Sequence, residues 1–263
     1  MRKSRGSDQA ASRGKCARLA LFWSVLGSAG VLLALPYTLA VNPVIAEQAP
    51  LPFPIFVAAQ VAQTAVTLFL GGWLALKAGQ AIGLDSPIAR AWVYKTERRG
   101  FEPGRVVKAV VVGLFLGFTL LALDRWIFLP RLPRVDAAPA AVARWQALLA
   151  SFYGAVTEEL LLRLIFMTLI AWLLVRLLGE AEIVPREMLF STAIVASAVL
   201  FGIGHLPAAA AVWGLTPPVV MRVVLLNAAA GVPFGFLYWR WGLEYAMIAH
   251  FAADVALHVV GGA

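Results

Sequence analysis

Long apolar runs, separated by short polar or proline-rich stretches, dominate the pattern of residues along the chain. Seven runs meet the length of about 20 residues that an α-helix needs to cross a bilayer. They are residues 19–41, 55–76, 106–129, 147–178, 188–204, 217–238 and 243–260. The pattern therefore predicts an all-α fold, a polytopic transmembrane helix bundle with about seven spans, within a range of six to eight.

The same pattern divides the chain into three parts. Residues 1–18 form a basic tail, residues 19–146 hold the first transmembrane helices and their loops, and residues 147–263 form a core whose helices carry polar groups. No segment has the composition of a separate soluble domain. We expect the functional groups to lie in the third part.

Two pairs of glycines lie inside the predicted spans at a spacing of four residues. They are Gly113 with Gly117, and Gly231 with Gly235. Small residues at this spacing allow neighbouring helices to approach closely in lipid. Both pairs are therefore predicted to mark helix–helix contacts.

Composition supports the membrane prediction. Of the 263 residues, 61% are hydrophobic and 14% are charged, whereas soluble domains are about half apolar and a quarter charged. The net charge of +8 does not indicate nucleic-acid binding, because the basic residues flank apolar runs and form no single patch. The single cysteine, Cys16, excludes an internal disulfide framework and a cysteine-based metal site.

The distribution of lysine and arginine between alternate loops predicts the orientation in the membrane. Sixteen lie in the tail and the loops on its side, and four on the opposite side, namely Arg125, Arg131, Arg134 and Arg144. The positive-inside rule then places the N-terminus in the cytoplasm, and we expect a bacterial or archaeal cell membrane. The first apolar run is longer than the hydrophobic region of a signal peptide, which favours an uncleaved helix over a signal peptide.

Three short stretches, residues 157–163, 201–205 and 250–254, place ionisable side chains inside predicted spans. A charged residue at a helix centre costs roughly 2.5–3.5 kcal/mol on insertion scales. Such residues almost always face the interior of the bundle, pair with one another and mark a functional site. We therefore expect the three stretches to meet.

The spacing in the first stretch suggests separate tasks for its two glutamates. Glu159 and Arg163 are four residues apart, so on a helix they share a face and can form an ion pair. Glu158 points about 100° away from Glu159, given 3.6 residues per turn. Arg163 would therefore neutralise Glu159 and leave Glu158 free to act as a base.

The other two stretches supply histidines. His250 and Asp254 are also four residues apart, so the carboxylate can orient the imidazole or share its proton, and His205 adds an imidazole from a third helix. A carboxylate beside histidines can activate water, and the histidines can donate hydrogen bonds to an oxyanion. These groups are sufficient to hydrolyse an amide bond.

Each feature alone is also typical of helix packing. A buried Glu–Arg pair or a lone histidine at a helix end is more often structural, whereas their combination on three membrane helices favours a function. Asn227, in the sixth predicted span, is a candidate lining residue of the same cavity, or it bonds a neighbouring helix.

These residues resemble the CPBP family of intramembrane proteases, also called the CAAX-protease or ABI family. The family pattern is Glu-Glu-x-x-x-Arg, then Phe-x-x-x-His, then His-x-x-x-Asn/Asp. The matching residues are Glu158, Glu159, Arg163, Phe201, His205, His250 and Asp254, within about residues 147–260.

The resemblance implies a metal-independent endopeptidase that depends on glutamate. Glu158 would activate water with the help of His205, while His250 and Asp254 would form the oxyanion side of the site. Glu159, paired with its arginine, would hold the first helix in register. Prenyl-protein proteases of this family have asparagine where this chain has Asp254, so the aspartate is expected to orient His250.

Two other classes of function stay open. The first is a metal-dependent hydrolase, with Zn²⁺ bound by Glu158, His205 and His250, although no His-Glu-x-x-His spacing supports it. The second is a non-catalytic membrane protein, such as a chaperone, an immunity factor or a transporter. We favour the endopeptidase, without a cofactor, acting on a membrane-associated or lipidated protein or peptide; prenylated tails, bacteriocin-like peptides and C-terminal membrane anchors are all candidate substrates.

Overall fold

The computed structural model describes residues 2–96, 100–132, 142–179 and 184–262, with side chains from Cys16 onward. Several basic residues on which the predicted orientation depends, such as Arg98 and Arg134, lie outside this described part, and the side chain of Arg13 is not described. The cytoplasmic location of the N-terminus therefore stays a prediction.

The described residues form helices and contain no β-strand. The α-helices are α1 (Arg2–Val41), α2 (Phe53–Ile82), α3 (Pro87–Tyr94), α4 (Pro103–Leu123), α5 (Arg144–Phe152), α6 (Thr168–Leu178), α7 (Arg186–Gly204), α8 (Leu206–Trp213), α9 (Pro217–Trp241) and α10 (Leu243–Asp254). π-Helical turns continue α4 over Asp124–Phe128, join α5 to α6 over Tyr153–Glu158 and Leu160–Met167, and extend α10 over Val255–Val260. Short 3₁₀ turns cover Pro43–Ala46 and Leu129–Arg131.

Seven helical segments in the described part are long and apolar enough to cross a bilayer. They are Cys16–Val41, Phe53–Ile82, Pro103–Arg131, Arg144–Leu178, Arg186–Trp213, Pro217–Trp241 and Leu243–Val260. This finding confirms the predicted all-α bundle, and the chain is an integral membrane protein that crosses the membrane several times.

The helix α7 ends at Gly204, as the pattern predicted. A second helix, α8, begins directly after His205, because the alanine-rich stretch that follows is itself helical, and it extends the apolar segment to Trp213. Pro207 does not stop it, since it lies in the first turn of α8, where the missing N–H costs no intrahelical hydrogen bond. His205 therefore lies at the junction of α7 and α8, inside this apolar segment.

The first predicted glycine pair lies where α4 crosses α10. A Cβ atom at Gly117 would lie 2.5 Å from the carbonyl oxygen of Ala253 and 2.8 Å from the Cβ of Ala256. A Cβ atom at Gly113 would lie 2.8 Å from the Cβ of Ala252. Only glycine fits at this distance, so the predicted contact is confirmed and α10 is held against α4.

The second glycine pair brings α9 against α7. A Cβ atom at Gly231 would lie 2.8 Å from the Cβ of Ala198, and one at Gly235 would lie 3.0 Å from Ile194 Cγ2. This prediction is also confirmed. Because α7 and α10 carry the two site histidines, both glycine contacts position the candidate site.

One glycine joins α9 to α10. Gly242 has φ 112° and ψ 166°, a backbone conformation that is essentially restricted to glycine. Two residues after it, the buried carboxylate of Glu244 accepts hydrogen bonds from Ser86 Oγ (2.6 Å) and from the backbone N–H of Ala89 (2.8 Å). The start of α10 therefore also anchors the short helix α3, which the sequence analysis did not predict.

A Gly117→Ala substitution tests the α4–α10 contact. We expect the free energy of unfolding to fall by about 1–3 kcal/mol, because the added methyl group overpacks a tight interface. Thermal unfolding in detergent micelles provides the measurement. The control is Gly104→Ala, also in α4, where a Cβ atom would meet nothing within 4 Å. Equal losses of stability in the two variants would contradict the contact.

Candidate active site

The fourth span carries its glutamates on a widened stretch of helix. Residues Tyr153–Glu158 and Leu160–Met167 have π-helical hydrogen bonding, and the backbone N–H of Thr168 reaches the carbonyl of Arg163, five residues earlier. Such i→i+5 turns are rare and are frequent at functional sites. Here they are centred on the two candidate glutamates.

The predicted ion pair within this stretch is present and completely buried. Arg163 Nη1 lies 3.1 Å from Glu159 Oε1, and neither side chain is exposed. Arg163 Nη2 also donates to the carbonyl oxygen of Gly231 at 2.9 Å, and the guanidinium lies over the rings of Phe201 (5.2 Å) and Phe234 (5.6 Å). This one arginine therefore links the fourth span to α7 and α9.

His250 is held by the same glutamate. Its Nδ1 lies 2.9 Å from Glu159 Oε1, and its ring stacks on Phe234 with 4.7 Å between centroids. The sequence analysis expected Asp254 to orient this ring, whereas in the structure the ring donates its Nδ1–H hydrogen bond to Glu159. Nε2 consequently faces Asp254 Oδ1 at 3.6 Å and Glu158 Oε2 at 3.8 Å.

His205 approaches Glu158 from α7. Its Nδ1 lies 2.8 Å from the carbonyl oxygen of Phe201, and since a carbonyl only accepts, Nδ1 carries the proton. Nε2 is then the nitrogen turned towards the site, 3.7 Å from Glu158 Oε1. Each carboxylate oxygen of Glu158 thus faces the Nε2 atom of a different histidine.

The structure brings together the whole set of residues that the motifs predicted. Six are ionisable, and Phe201 contacts both histidine rings and the arginine. Arg163 balances the charge of one of the three carboxylates.

Gly154 is a site residue that the sequence analysis missed. A Cβ atom at this position would overlap Asp254 Oδ2 and would lie 3.2 Å from His250 Nε2. The bare backbone of Gly154 therefore forms a wall of the cluster. The sequence held one signal for this role. Gly154 lies four residues before Glu158, so on a helix the two residues share a side.

The first helix also supports the site, which the sequence analysis did not foresee. Thr157, next to Glu158, donates a hydrogen bond to the carbonyl of Gly27 at 2.8 Å. A Cβ atom at Gly30 would overlap the hydroxyl of the same threonine. The glycines of α1 therefore allow this helix to lie directly against the segment that carries Glu158.

Asn227 does not join this network. Its Nδ2 donates to the carbonyl of Val223, 2.8 Å away and one turn earlier in α9. The side chain is half-buried, and this hydrogen bond stays within its own helix. Its predicted cavity-lining role stays a prediction.

The site residues lie away from the ends of the apolar segments that carry them. Glu158 is 14 residues from Arg144, where the fourth segment begins, and His205 is eight residues from the end of the fifth segment at Trp213. At a rise of 1.5 Å per residue these separations are about 21 Å and about 12 Å.

Carboxylates and imidazoles converge inside this helix bundle, an arrangement typical of acid–base sites in membrane-embedded enzymes. Residues 140–256 match the family model described as "Type II CAAX prenyl endopeptidase Rce1-like". The match covers a little less than half of the chain and includes every site residue above. It confirms the resemblance, since this part of the chain is similar to a family of proteases. The comparisons with curated proteins and with solved structures find no match.

An Arg163→Met substitution tests whether the buried ion pair holds the site together. We expect a loss of about 3–5 kcal/mol of stability, because the Glu159 carboxylate would be left buried without a countercharge. Thermal unfolding in micelles measures the loss, and the double variant Glu159→Gln/Arg163→Met should recover part of it.

The control for this test is Arg105→Met. Arg105 pairs with Glu102 at 2.8 Å, and the two side chains are 33% and 56% exposed. Exposed pairs contribute roughly 0–1 kcal/mol, so this variant should unfold close to the wild type. A single Arg163 variant that is as stable as the control would exclude the role assigned to the buried pair.

Proposed function

We propose that this protein is a glutamate-dependent intramembrane endopeptidase that cleaves a peptide bond of a membrane-associated or lipidated protein. The observation that carries the proposal is the convergence of the two histidine Nε2 atoms on the two carboxylate oxygens of Glu158, at 3.7 and 3.8 Å. These separations are longer than direct hydrogen bonds, and a water molecule can bridge groups at such distances.

Glu158 is the general base in this proposal. It is 18% exposed, whereas Glu159 is completely buried and paired, so Glu158 is the glutamate that can meet water and substrate. It removes a proton from the water as the water oxygen attacks the carbonyl carbon of the scissile peptide. The same proton then passes to the leaving nitrogen as the C–N bond breaks.

His205 orients the attacking water. Because its Nδ1–H donates to the Phe201 carbonyl, Nε2 keeps a free lone pair towards Glu158. That nitrogen can accept a hydrogen bond from the water and hold it beside the carboxylate. His205 is 35% exposed, which leaves room for the substrate to approach from its side.

His250 stabilises the oxyanion that forms on the substrate. With Nδ1–H donated to Glu159, a second proton on Nε2 would point at the developing negative charge. The carboxylates of Glu158, Glu159 and Asp254 lie within 3.8 Å of this ring and supply countercharge for the imidazolium. A fixed donor at such a position contributes several kcal/mol to the transition state.

The substrate is proposed at the level of its class. The matched family is described by its action on CAAX prenyl proteins, and the site lies inside apolar spans. We therefore infer a substrate whose cleaved segment lies near a membrane anchor, either a lipid or a hydrophobic helix.

A Glu158→Gln substitution tests the proposed base. We expect loss of cleavage by at least about 100-fold, because a general base contributes roughly 10²–10⁴-fold to a rate. Membranes that contain the wild type or the variant can be compared by labelling newly formed peptide termini and sequencing them. Termini that appear with the wild type should be absent with Glu158→Gln and with His205→Ala.

Glu187→Gln is the matched control, because Glu187 is an exposed glutamate in the first turn of α7 and its variant should keep the full set of termini. Identical termini from wild type and Glu158→Gln would rule out the proposal.

The same assay separates the metal-dependent alternative. Among the described residues, no three His, Cys, Asp or Glu side chains are grouped so that they could hold a metal ion. Cleavage that continues after treatment with a strong chelator supports the glutamate mechanism, whereas loss that added Zn²⁺ restores would support the metal-dependent hydrolase.

A Gly154→Ala substitution tests whether the position of Asp254 matters for the reaction. We expect the cleavage rate to fall by about 100-fold, because the new methyl group would displace a site carboxylate and small misplacements have effects of that size. The control is Gly204→Ala, next to His205, where a Cβ atom would meet nothing within 4 Å. Equal activity in both variants would show that Gly154 is not a wall of the site.

A further inference from the structure

A groove of about 950 Å³ lies between α1 and α3, apart from the site described above. It is located at the end of the bundle where α1 enters its span, and none of its lining residues belongs to the catalytic cluster. The volume is near the upper end of the roughly 300–1,000 Å³ of clefts that hold small ligands. The groove is therefore large enough for a specific ligand.

The walls of the groove are apolar. Its exposed side chains include Leu21 (55% exposed) and Val25 (61%) on α1, and Trp92 (71%) on α3. Phe22 of α1 lines it as well, and its ring lies 5.3 Å from that of Trp92. Such a surface suits the hydrocarbon chains of a lipid.

Two cations lie among the lining residues. They are Arg18, which is exposed and whose guanidinium lies 6.0 Å from the ring centroid of Tyr94, and Lys95, directly after α3. The described residues that line the groove include no carboxylate. The neighbouring Arg90 is less available to a ligand, because its guanidinium donates two hydrogen bonds, of 2.5 and 2.7 Å, to the carboxylate of Asp85.

The backbone at Lys95 is unusual. Its φ of 52° is the only positive φ of a non-glycine residue in the described part of the chain. The left-handed position after a helix is usually occupied by glycine, and strained residues of this kind cluster at functional sites. A lysine at this position keeps a positive charge beside the groove at some cost in backbone energy.

The α3 wall is fixed in place by buried hydrogen bonds. Trp23 Nε1 donates to Ser86 Oγ at 3.0 Å, and Ser86 Oγ in turn donates to Glu244 at 2.6 Å. These bonds join α1, the start of α3 and α10. The groove is therefore preformed, which reduces the entropic cost of binding a ligand.

We propose that this groove binds one anionic phospholipid. The phosphate group pairs with Arg18 and Lys95, and the acyl chains lie along Leu21, Val25 and Trp92. The two cations can pair with a negative headgroup while the apolar walls contact its hydrocarbon chains. A zwitterionic headgroup carries no net charge, so such a lipid should bind more weakly. The site is separate from the peptidase centre and does not depend on the proposed function.

Native mass spectrometry of the purified full-length protein, titrated with phosphatidylglycerol or phosphatidylcholine, tests this proposal. We expect the wild type to retain one phosphatidylglycerol in preference to phosphatidylcholine. The double variant Arg18→Gln/Lys95→Gly should lose roughly 25-fold in affinity for phosphatidylglycerol, at about fivefold per cation. Glycine at position 95 keeps the backbone without strain, so this variant should remain folded.

Two further variants separate the groove from general surface charge. Val25→Trp fills the groove while both cations stay, and it should also abolish retention of phosphatidylglycerol. Lys77→Gln is the control, because Lys77 lies over the Trp73 ring on α2, away from the groove, and it should bind as the wild type does. Unchanged retention in the double variant or in Val25→Trp, or an equal loss in Lys77→Gln, would overturn the proposal.

Discussion

The buried ion pair between Glu159 and Arg163 is the interaction on which the rest of the site depends. A bilayer offers no water to solvate either charge, so each needs the other and every remaining polar atom needs a partner. Arg163 finds a second partner in the Gly231 carbonyl, and Glu159 finds one in His250 Nδ1. The requirement to satisfy one pair of charges thus connects the fourth span to α9 and α10 and orients the histidine that faces the second glutamate.

Close helix packing makes this arrangement possible. The lipid supplies little hydrophobic force between helices, so tight contact depends on small residues. Gly231 against α7, Gly117 against α10 and Gly30 against the segment that carries Glu158 all place a backbone where a larger side chain would not fit. Gly154 has the same property inside the site itself. Glycines, which have no reactive side chain, therefore surround the polar cluster and allow its helices to approach closely.

Burial and pairing give the two adjacent glutamates different environments. One carboxylate is fully buried and held by an arginine and a histidine, whereas its neighbour points to the partly exposed side of the widened helix and meets two Nε2 atoms. In the proposed peptidase, the first organises the site and the second acts on water. The groove proposed to bind a phospholipid is a separate feature, lined by residues of α1 and of the short helix α3.

The sequence alone determined the class of fold and the membership of the cluster. Seven apolar runs are enough to predict a membrane bundle, and charges such as Glu159 and Arg163 are too costly in lipid to lie apart, so their spacing predicts a pair. Which helices contact one another was decided only by the tertiary structure. The glycine pairs predicted close contacts, but not that Gly117 would meet α10 or that Gly231 would meet α7. Likewise, His250 donates its Nδ1–H hydrogen bond to Glu159, 91 residues away, because folding brings two helices together that are distant along the chain.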